Sequence, residues 1–409
     1  MTALSILFVT SRFPLPLFSG DRARAFHQLH WLARRGHRVT LVTFADPTCG
    51  PAAHAPLERV GVRIITVPFT KRGAAFRLAI NAWSDLPLQA ALYQSRRARA
   101  KIRELAAKEQ FDLAHVQLAR TVPLVGADLG LPRVVDLIDA LSLNMQRRAA
   151  HDRGWARWAA RIDAQRLQQY EHQICENVAA ALVVAPADRD AIGPYPSIVV
   201  NPNGVDVSAF PYVPALGASR DRKRLVFTGN LGYFPNVDAV CWLADHVMPH
   251  VWHDEPETRL TIAGARPHRR IHALAKRDAR IEVHGDVDRV HPWIAGARVS
   301  VAPMRAGSGQ LLKVLEAMAS GTPVVTTGRG LSGIEATPGE QLLVADDPAA
   351  FAAHVVNVLR DDRLAARLGL SGRQLVERLY TWERSVADLE RVYERVLARH
   401  DVNAAVSCA

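Results

Sequence analysis

The chain has 409 residues, 49% of them hydrophobic and 22% charged, with a formal net charge of +11. This length suits two globular domains of roughly 150–200 residues each, and the composition excludes an intrinsically disordered chain. No apolar run reaches the roughly 18 residues that span a bilayer, and four scattered cysteines without a C-x-x-C pair exclude a disulfide framework or a cysteine metal site and fit a reducing cytosol.

Short apolar strands alternate with helical stretches from end to end. Ser5–Thr10 reads as a first buried strand rather than a secretory signal, because no basic segment precedes it and no small-residue cleavage site follows. A helix is expected from about Asp21 to Arg35, stopped by Gly36. Strands follow at Arg38–Thr43, Arg63–Val67, Leu113–Gln117 and Arg133–Leu137, and Ala180–Ala185 closes the series. A second series runs through Arg224–Gly229, Arg259–Gly264, Ile281–Gly285, Val299–Ala302 and Pro323–Thr327. Strand, loop, helix, strand repeated in this way predicts parallel doubly wound sheets, an α/β class with two Rossmann-like domains. The turn dipeptides Asn201-Pro202 and Asn203-Gly204 place the boundary between residues 1–205 and 206–385. In such sheets ligands sit at the carboxyl ends of the strands, here facing a cleft. Residues 1–205 hold 26 Lys and Arg against 16 Asp and Glu, and the remainder 25 against 24. The excess in the first half favours phosphates or an anionic membrane surface. Nucleic acid is disfavoured because no zinc finger, RNP signature or basic zipper is present.

The sharpest chemical signal is the segment from Ala306 to Val325, AGSGQLLKVLEAMASGTPVV. A glycine-rich loop follows a strand and is expected to open a helix at about Ser308, aiming free N–H groups and the positive end of the helix dipole at an anion. Gly307 and Gly309 allow close approach to the main chain. Lys313 and Glu316 share a helix face, and a cation beside a carboxylate suits a nucleoside diphosphate, with the lysine for phosphate and the carboxylate for ribose hydroxyls. An ordinary surface ion pair is the plainer alternative.

That segment resembles the donor-site signature of the group-four glycosyltransferase family, G-x-x-x-x-x-x-E-A-M-A-x-G-x-P-V-V. The resemblance extends over nearly the whole chain. Ser11–Arg24 with the following helix is similar to the family's first glycine loop, and Val200–Asp206 to its interdomain N-G-V-D. Phe227–Ala239 resembles a subgroup found with bacterial exopolysaccharide genes, and Tyr380-Thr-Trp382 resembles the aromatic bend before a final helix. The resemblance implies the GT-B fold, a nucleotide-sugar donor, a retaining reaction, and a last helix, within residues 386–409, that returns to the first domain; no cofactor is expected, and no metal is required if Lys313, Arg305 and the helix dipole offset the diphosphate charge. It implies donor contacts from Gly229, Asn230, Gly285 and Gly20, and along the loop from Gly307, Ser308, Gly309, Gln310, Leu311 and Leu312 to Glu316.

Two departures bear on the site. The family's first glutamate, eight positions before Glu316, is here Ser308, and the Arg and Lys usual after the first C-domain strand are missing beyond Gly229. Lys313 and Arg305 are the candidates to replace them. Gly20-Asp21 would approach the donor phosphate or the acceptor, or Asp21 would simply cap the helix. His115 or Gln117 would lie near the sugar, unless His115 is structural. Asp136 or Asp139 would be an acceptor-site base, or would cap the next helix. The block His284–Val287 would lie near the base of the nucleotide. The basic run Arg96–Arg103 and Trp155–Trp158 would lie on an anionic inner membrane, or be solvated helix faces. The chain is thus expected to be a cytoplasmic transferase acting on a glycan or lipid-linked acceptor. A catalytically silent GT-B binding protein is the alternative of another class. A phosphorylase is disfavoured, since nothing marks a pyridoxal lysine.

Overall fold

The computed structural model describes residues 2–17, 19–46, 50–70, 73, 77, 80, 86–151, 154–307 and 309–407. The chain forms two compact units, one of Met1–Pro202 with Ser385–Ala409 and the other of Asn203–Arg384.

Unit 1 is built on β1 (Ser5–Thr10), α1 (Gly20–Arg34), β2 (Arg38–Phe44), β3 (Arg63–Val67), β4 (Leu113–Gln117), β5 (Arg133–Ile138), β6 (Ala180–Val183) and β7 (Ile198–Val200). The strands are all parallel in the order β3-β2-β1-β4-β5-β6-β7. Ile6 and Phe8 point into one core layer and Leu7 and Val9 into the other. A strand covered on both faces reads as an unbroken apolar run, which is why β1 is visible in sequence. The chain winds outward from β1 through β2 to β3, then returns to the other side of β1 as β4. The switch point of this sheet therefore lies between β1 and β4.

Unit 2 repeats the plan with β8 (Asp221–Asn230), α2 (Phe234–Trp242), β9 (Arg259–Ala265), β10 (Ile281–Gly285), β11 (Ala297–Ala302), α3 (Leu312–Ala319), β12 (Val324–Thr326) and β13 (Leu343–Val344). The order is β10-β9-β8-β11-β12-β13, again parallel, with the switch point between β8 and β11. The last helix, α4 (Trp382–Ser407), starts at the end of unit 2 and from Ser385 belongs to unit 1. There its Val386, Leu389, Tyr393 and Val396 join the core layer that holds Ile6, Phe8 and Leu29. In the N-G-V-D segment, a Cβ on Gly204 would stand 2.3 Å from the Trp382 backbone nitrogen, so only glycine fits. No helix among the described residues is long and apolar enough to cross a membrane.

Two expectations for α1 change. Gly20 is its first residue and Ser19 precedes it, so Asp21 is not the cap. The Asp21 carboxylate is instead taken by Arg12, whose Nε and Nη2 donate at 2.8 and 2.5 Å.

A fully buried polar network crosses unit 1. Arg24 Nε donates to Asp136 Oδ2 at 2.6 Å, and Gln28 Nε2 donates to the same oxygen at 2.8 Å. The guanidinium also donates to Asn201, to the carbonyl at 3.1 Å and to Oδ1 at 2.8 Å. Asn201 Nδ2 in turn donates to the Ser385 carbonyl at 2.9 Å, and Ser385 Oγ to the Pro202 carbonyl at 2.6 Å. Neither Arg24 nor Asp136 has any solvent exposure. Asp136 is thereby excluded as an acceptor-site base, because its charge serves a structural cation.

His115 is corrected in the same way. Its ring stacks on Phe8 with centroids 4.2 Å apart and shares a 2.7 Å hydrogen bond between Nδ1 and the Tyr393 hydroxyl of α4. With no exposed surface it touches core and not ligand. Burial pulls its pKa down to about 4, against an opposing pull from Asp136.

Breaking the buried pair leaves an uncompensated charge. Arg24→Met is expected to destabilise unit 1 by about 3–5 kcal/mol, and Arg24→Met with Asp136→Leu by less, because no lone charge then remains. Chemical denaturation of the three proteins measures this, and a loss below about 1 kcal/mol for the single variant would refute it. For His115 the folded pKa lies below the unfolded value, so its neutral burial stabilises above pH 6.5 and that contribution is lost as pH falls toward 4. The stability gap between wild type and His115→Gln is therefore expected to narrow as pH drops through that window; a constant gap would count against the assignment.

Candidate functional site

The switch point of unit 2 brings together the carboxyl ends of β8 and β11. The chain leaves β11 through residues 303–311 and enters α3 only at Leu312. The helix was expected to open at about Ser308. Gly307 and Gly309, at φ +105° and +70°, hold left-handed conformations that no helix continues through, and Leu311 is extended. Ser308 itself lies outside the described residues. The positive end of the helix dipole therefore falls at Leu312 and Lys313, and Lys313 sits in the first turn. Leu311, at the position before the helix, has no side-chain group to accept from the first-turn N–H groups, and the positive end of the helix favours an anion.

Lys313 crosses from α3 to the end of β8. Its Nζ donates to Asn236 Oδ1 at 2.7 Å and stands 3.9 Å from the centroid of the Phe227 ring. At Gly229, which has φ +146°, a Cβ would lie 2.9 Å from that ammonium and 3.1 Å from Asn236 Nδ2. Gly229 is thus the gap through which the lysine reaches the strand end. Packing around the half-buried ammonium lowers its pKa to about 7, with Glu316 opposing. Burial likewise raises Glu316 to about 7, with Lys313 opposing. The pair occupies neighbouring positions on one helix, yet the ammonium bonds to Asn236 rather than to the carboxylate.

Several expected donor contacts are placed otherwise. Arg305 is held by Asp238, with Nε and Nη2 donating at 3.1 and 2.7 Å, and lies over Trp242, so its charge is already offset. Gln310 is buried and spent inside the unit. Its Oε1 accepts from the Asn203 N–H at 2.8 Å and its Nε2 donates to the Gly333 carbonyl at 2.9 Å. Leu311 and Leu312 pack their side chains on the core. The Asn230 side chain accepts from the Gly232 N–H at 3.1 Å, closing the turn after β8. Gly285 ends β10, where a Cβ would meet the Pro267 ring at 2.6 Å.

In unit 1, Gly20 is exposed at the start of α1. Gln117 Nε2 donates to the Asp21 carbonyl at 2.9 Å, and Arg120 Nε donates to Ser11 Oγ at 3.0 Å. Arg12 and Arg120 thus bring two cations to the β1–β4 switch point that the motifs did not single out. Asp139, half-buried after β5, accepts from Asn144 at 2.7 Å. Of the basic run, Lys101 pairs with Glu104 and Arg103 with Asp128, while Arg96 and Arg97 are exposed, as is Trp158 of the second stretch. Asn236 and Asp238, which organise the site in unit 2, were also missed, although both lie in the Phe227–Ala239 segment that carried the subgroup resemblance.

Two family models match, the glycosyl transferase 4-like domain over residues 19–204 and glycosyl transferases group 1 over residues 222–361. The chain is 26% identical over 418 residues to a glycogen synthase of Mycobacterium tuberculosis, covering 95% of this chain and 94% of that protein. It is 30% identical over 140 residues to an uncharacterized 44.6 kDa protein in the cps region of Klebsiella pneumoniae, covering 32% of this chain and 36% of that one. Among solved structures, HepE of Anabaena in complex with UDP and glucose superposes with a TM-score of 0.68 at 15% identity, covering 96% of this chain and 99% of HepE. Two parallel doubly wound sheets of seven and six strands, matched unit by unit to the two family models, make this chain a member of the group-four glycosyltransferase family with the GT-B fold.

Proposed function

We propose that the chain is a retaining, metal-independent glycosyltransferase that moves a sugar from a UDP- or GDP-sugar to a lipid-linked or polysaccharide-precursor acceptor in bacterial cell-surface glycan synthesis. The observation that carries this reading is the Lys313 ammonium, carried by the first turn of α3 and held at the end of β8, at the β8–β11 switch point. A diphosphate fits there, with its oxygens on the first-turn N–H groups and on Lys313, and Glu316 accepts from the ribose hydroxyls. The complex of HepE with UDP and glucose supports a nucleotide-sugar donor. The cps-region relative supports a surface polysaccharide as the product.

In the proposed reaction the bond from the anomeric carbon to the diphosphate oxygen breaks, and the acceptor oxygen bonds to the same face of the sugar. The acceptor proton passes to the leaving diphosphate, so no separate protein base is needed. Lys313 stabilises the charge that develops on the leaving group. Unit 1 carries the acceptor, with Gly20 and Asp139 near it, and the excess of positive charge in residues 1–205 favours an anionic membrane on which a lipid-linked acceptor sits.

Two substitutions test the reading with UDP-glucose as donor and UDP release as readout. Lys313→Met is expected to lower kcat by about two decades while changing KM less, because the charge matters most as the bond breaks. Lys313→Arg restores part of the rate, since charge returns with altered geometry. Glu316→Ala removes a charge-assisted hydrogen bond of about 1.5–3 kcal/mol, so UDP affinity falls by roughly one to two decades. Normal turnover by Lys313→Met, or an unaltered UDP dissociation constant for Glu316→Ala, would remove that residue from the donor site.

A further inference from the structure

We propose that Asn236 is a positioning residue for the transfer, whose side-chain amide holds the Lys313 ammonium at the end of β8, where the donor diphosphate is received. This rests on the proposed reading of Lys313.

Three observations carry it. The first is a locked amide. Asn236 is 6% exposed, and its Nδ2 donates to the Asn230 carbonyl at 2.8 Å, which turns Oδ1 to accept from Lys313 Nζ at 2.7 Å. Reversing the amide would set –NH2 against an ammonium and oxygen against a carbonyl, so both bonds enforce one orientation.

The second is that the ammonium has few other holds. It lies over the Phe227 face and 4.0 Å from Met304 Sδ, and its polar acceptor is Asn236. The charged group acting on it is Glu316 of α3. On α2, Asp238 is tied to Arg305, and no acidic residue of β8 or of the loop after β11 acts on the ammonium. A neutral acceptor therefore fixes the lysine without neutralising it. A carboxylate in the same place would spend its charge in an internal ion pair, as Asp238 spends that of Arg305.

The third is Gly229, where a Cβ would press on the lysine and the asparagine amide alike. The strand end is thus shaped to admit this pair. Burial lowers the pKa of Lys313, with Glu316 opposing, so a change of the group beside the ammonium registers in its titration.

The chain contains six lysines, so selective 13C labelling at lysine Cε resolves Lys313, assigned with Lys313→Arg. Asn236→Asp, which is isosteric, is expected to raise the Lys313 titration midpoint by roughly 1–3 pH units, and Asn236→Ala to lower it. In parallel, UDP affinity of the wild type falls as pH rises through that midpoint. Asn236→Ala moves the fall to lower pH, and Lys313→Arg abolishes it. A residue that only supported the fold would change the melting temperature and leave these profiles in place. An unmoved Lys313 midpoint in Asn236→Asp overturns the inference even where Lys313→Met weakens UDP. A moved midpoint with UDP affinity indifferent to Lys313→Met overturns instead the reading on which it rests, and with it any part for Asn236 in the transfer.

Discussion

The fold of unit 1 depends on one buried cation. Taking the Arg24 guanidinium and the Asp136 carboxylate out of water costs several kcal/mol per ion, and their attraction offsets this only where the remaining donors are satisfied. Further guanidinium donors bond Asn201, in the segment that leaves unit 1, and Asn201 in turn binds Ser385, where the chain returns, while Asp136 Oδ1 has no hydrogen-bond partner among the described residues. A single interaction therefore ties α1 and β5 to both crossings of the chain. The start of α4 is fixed from the same place, and the rest of that helix then lays Leu389 and Tyr393 on the core. No comparable apolar contact would specify where two irregular backbone segments must lie, since dispersion is indifferent to direction and hydrogen bonds are not.

The central strands were legible because they are covered on both faces and so appear largely as apolar runs, as β1 and β11 do. β7 and β13 were not, since three and two residues carry no periodicity, and the Asn-Pro turn after Val200 dominates the local signal. The two domains were legible as well, from the repetition of the series and the turn dipeptides between them. Polar residues inside strands were the hard case. His115 and Asp136 look like ligands at strand ends, yet their partners, Tyr393 and Arg24, are 278 and 112 residues away in sequence. Nothing local distinguishes a buried histidine held by a distant tyrosine from one that faces a sugar.

In unit 2 the loop after β11 was recognisable and its geometry was not. The glycine-rich loop reads as opening a helix at about Ser308, whereas the left-handed backbone of Gly307 and Gly309 delays it to Leu312. The shift matters because it moves the dipole from Ser308 to the turn that contains Lys313. It also explains how this chain departs from its family without leaving the strand end bare. A cation absent after Gly229 is delivered there by a helix that follows the neighbouring strand of the sheet. Adjacency in a doubly wound sheet, not adjacency in sequence, decides which side chains share a switch point. Arg305 had the same opportunity by position, but Asp238 on α2 claims it first.

Lys313 and Glu316 together show why such a site can stay folded without its ligand. Two full charges enclosed side by side would each need compensation. Here burial lowers the Lys313 pKa to about 7 and raises that of Glu316 to about 7, each opposed by the other's charge. On the proposed reading, a nucleoside diphosphate changes that balance from both ends. Its phosphates favour the ammonium, and ribose hydroxyls donating to Glu316 favour the carboxylate. Both preferences favour the charged forms of the pair. A bare phosphate or a bare nucleoside engages one end only, so on the same reading a ligand carrying both groups is preferred.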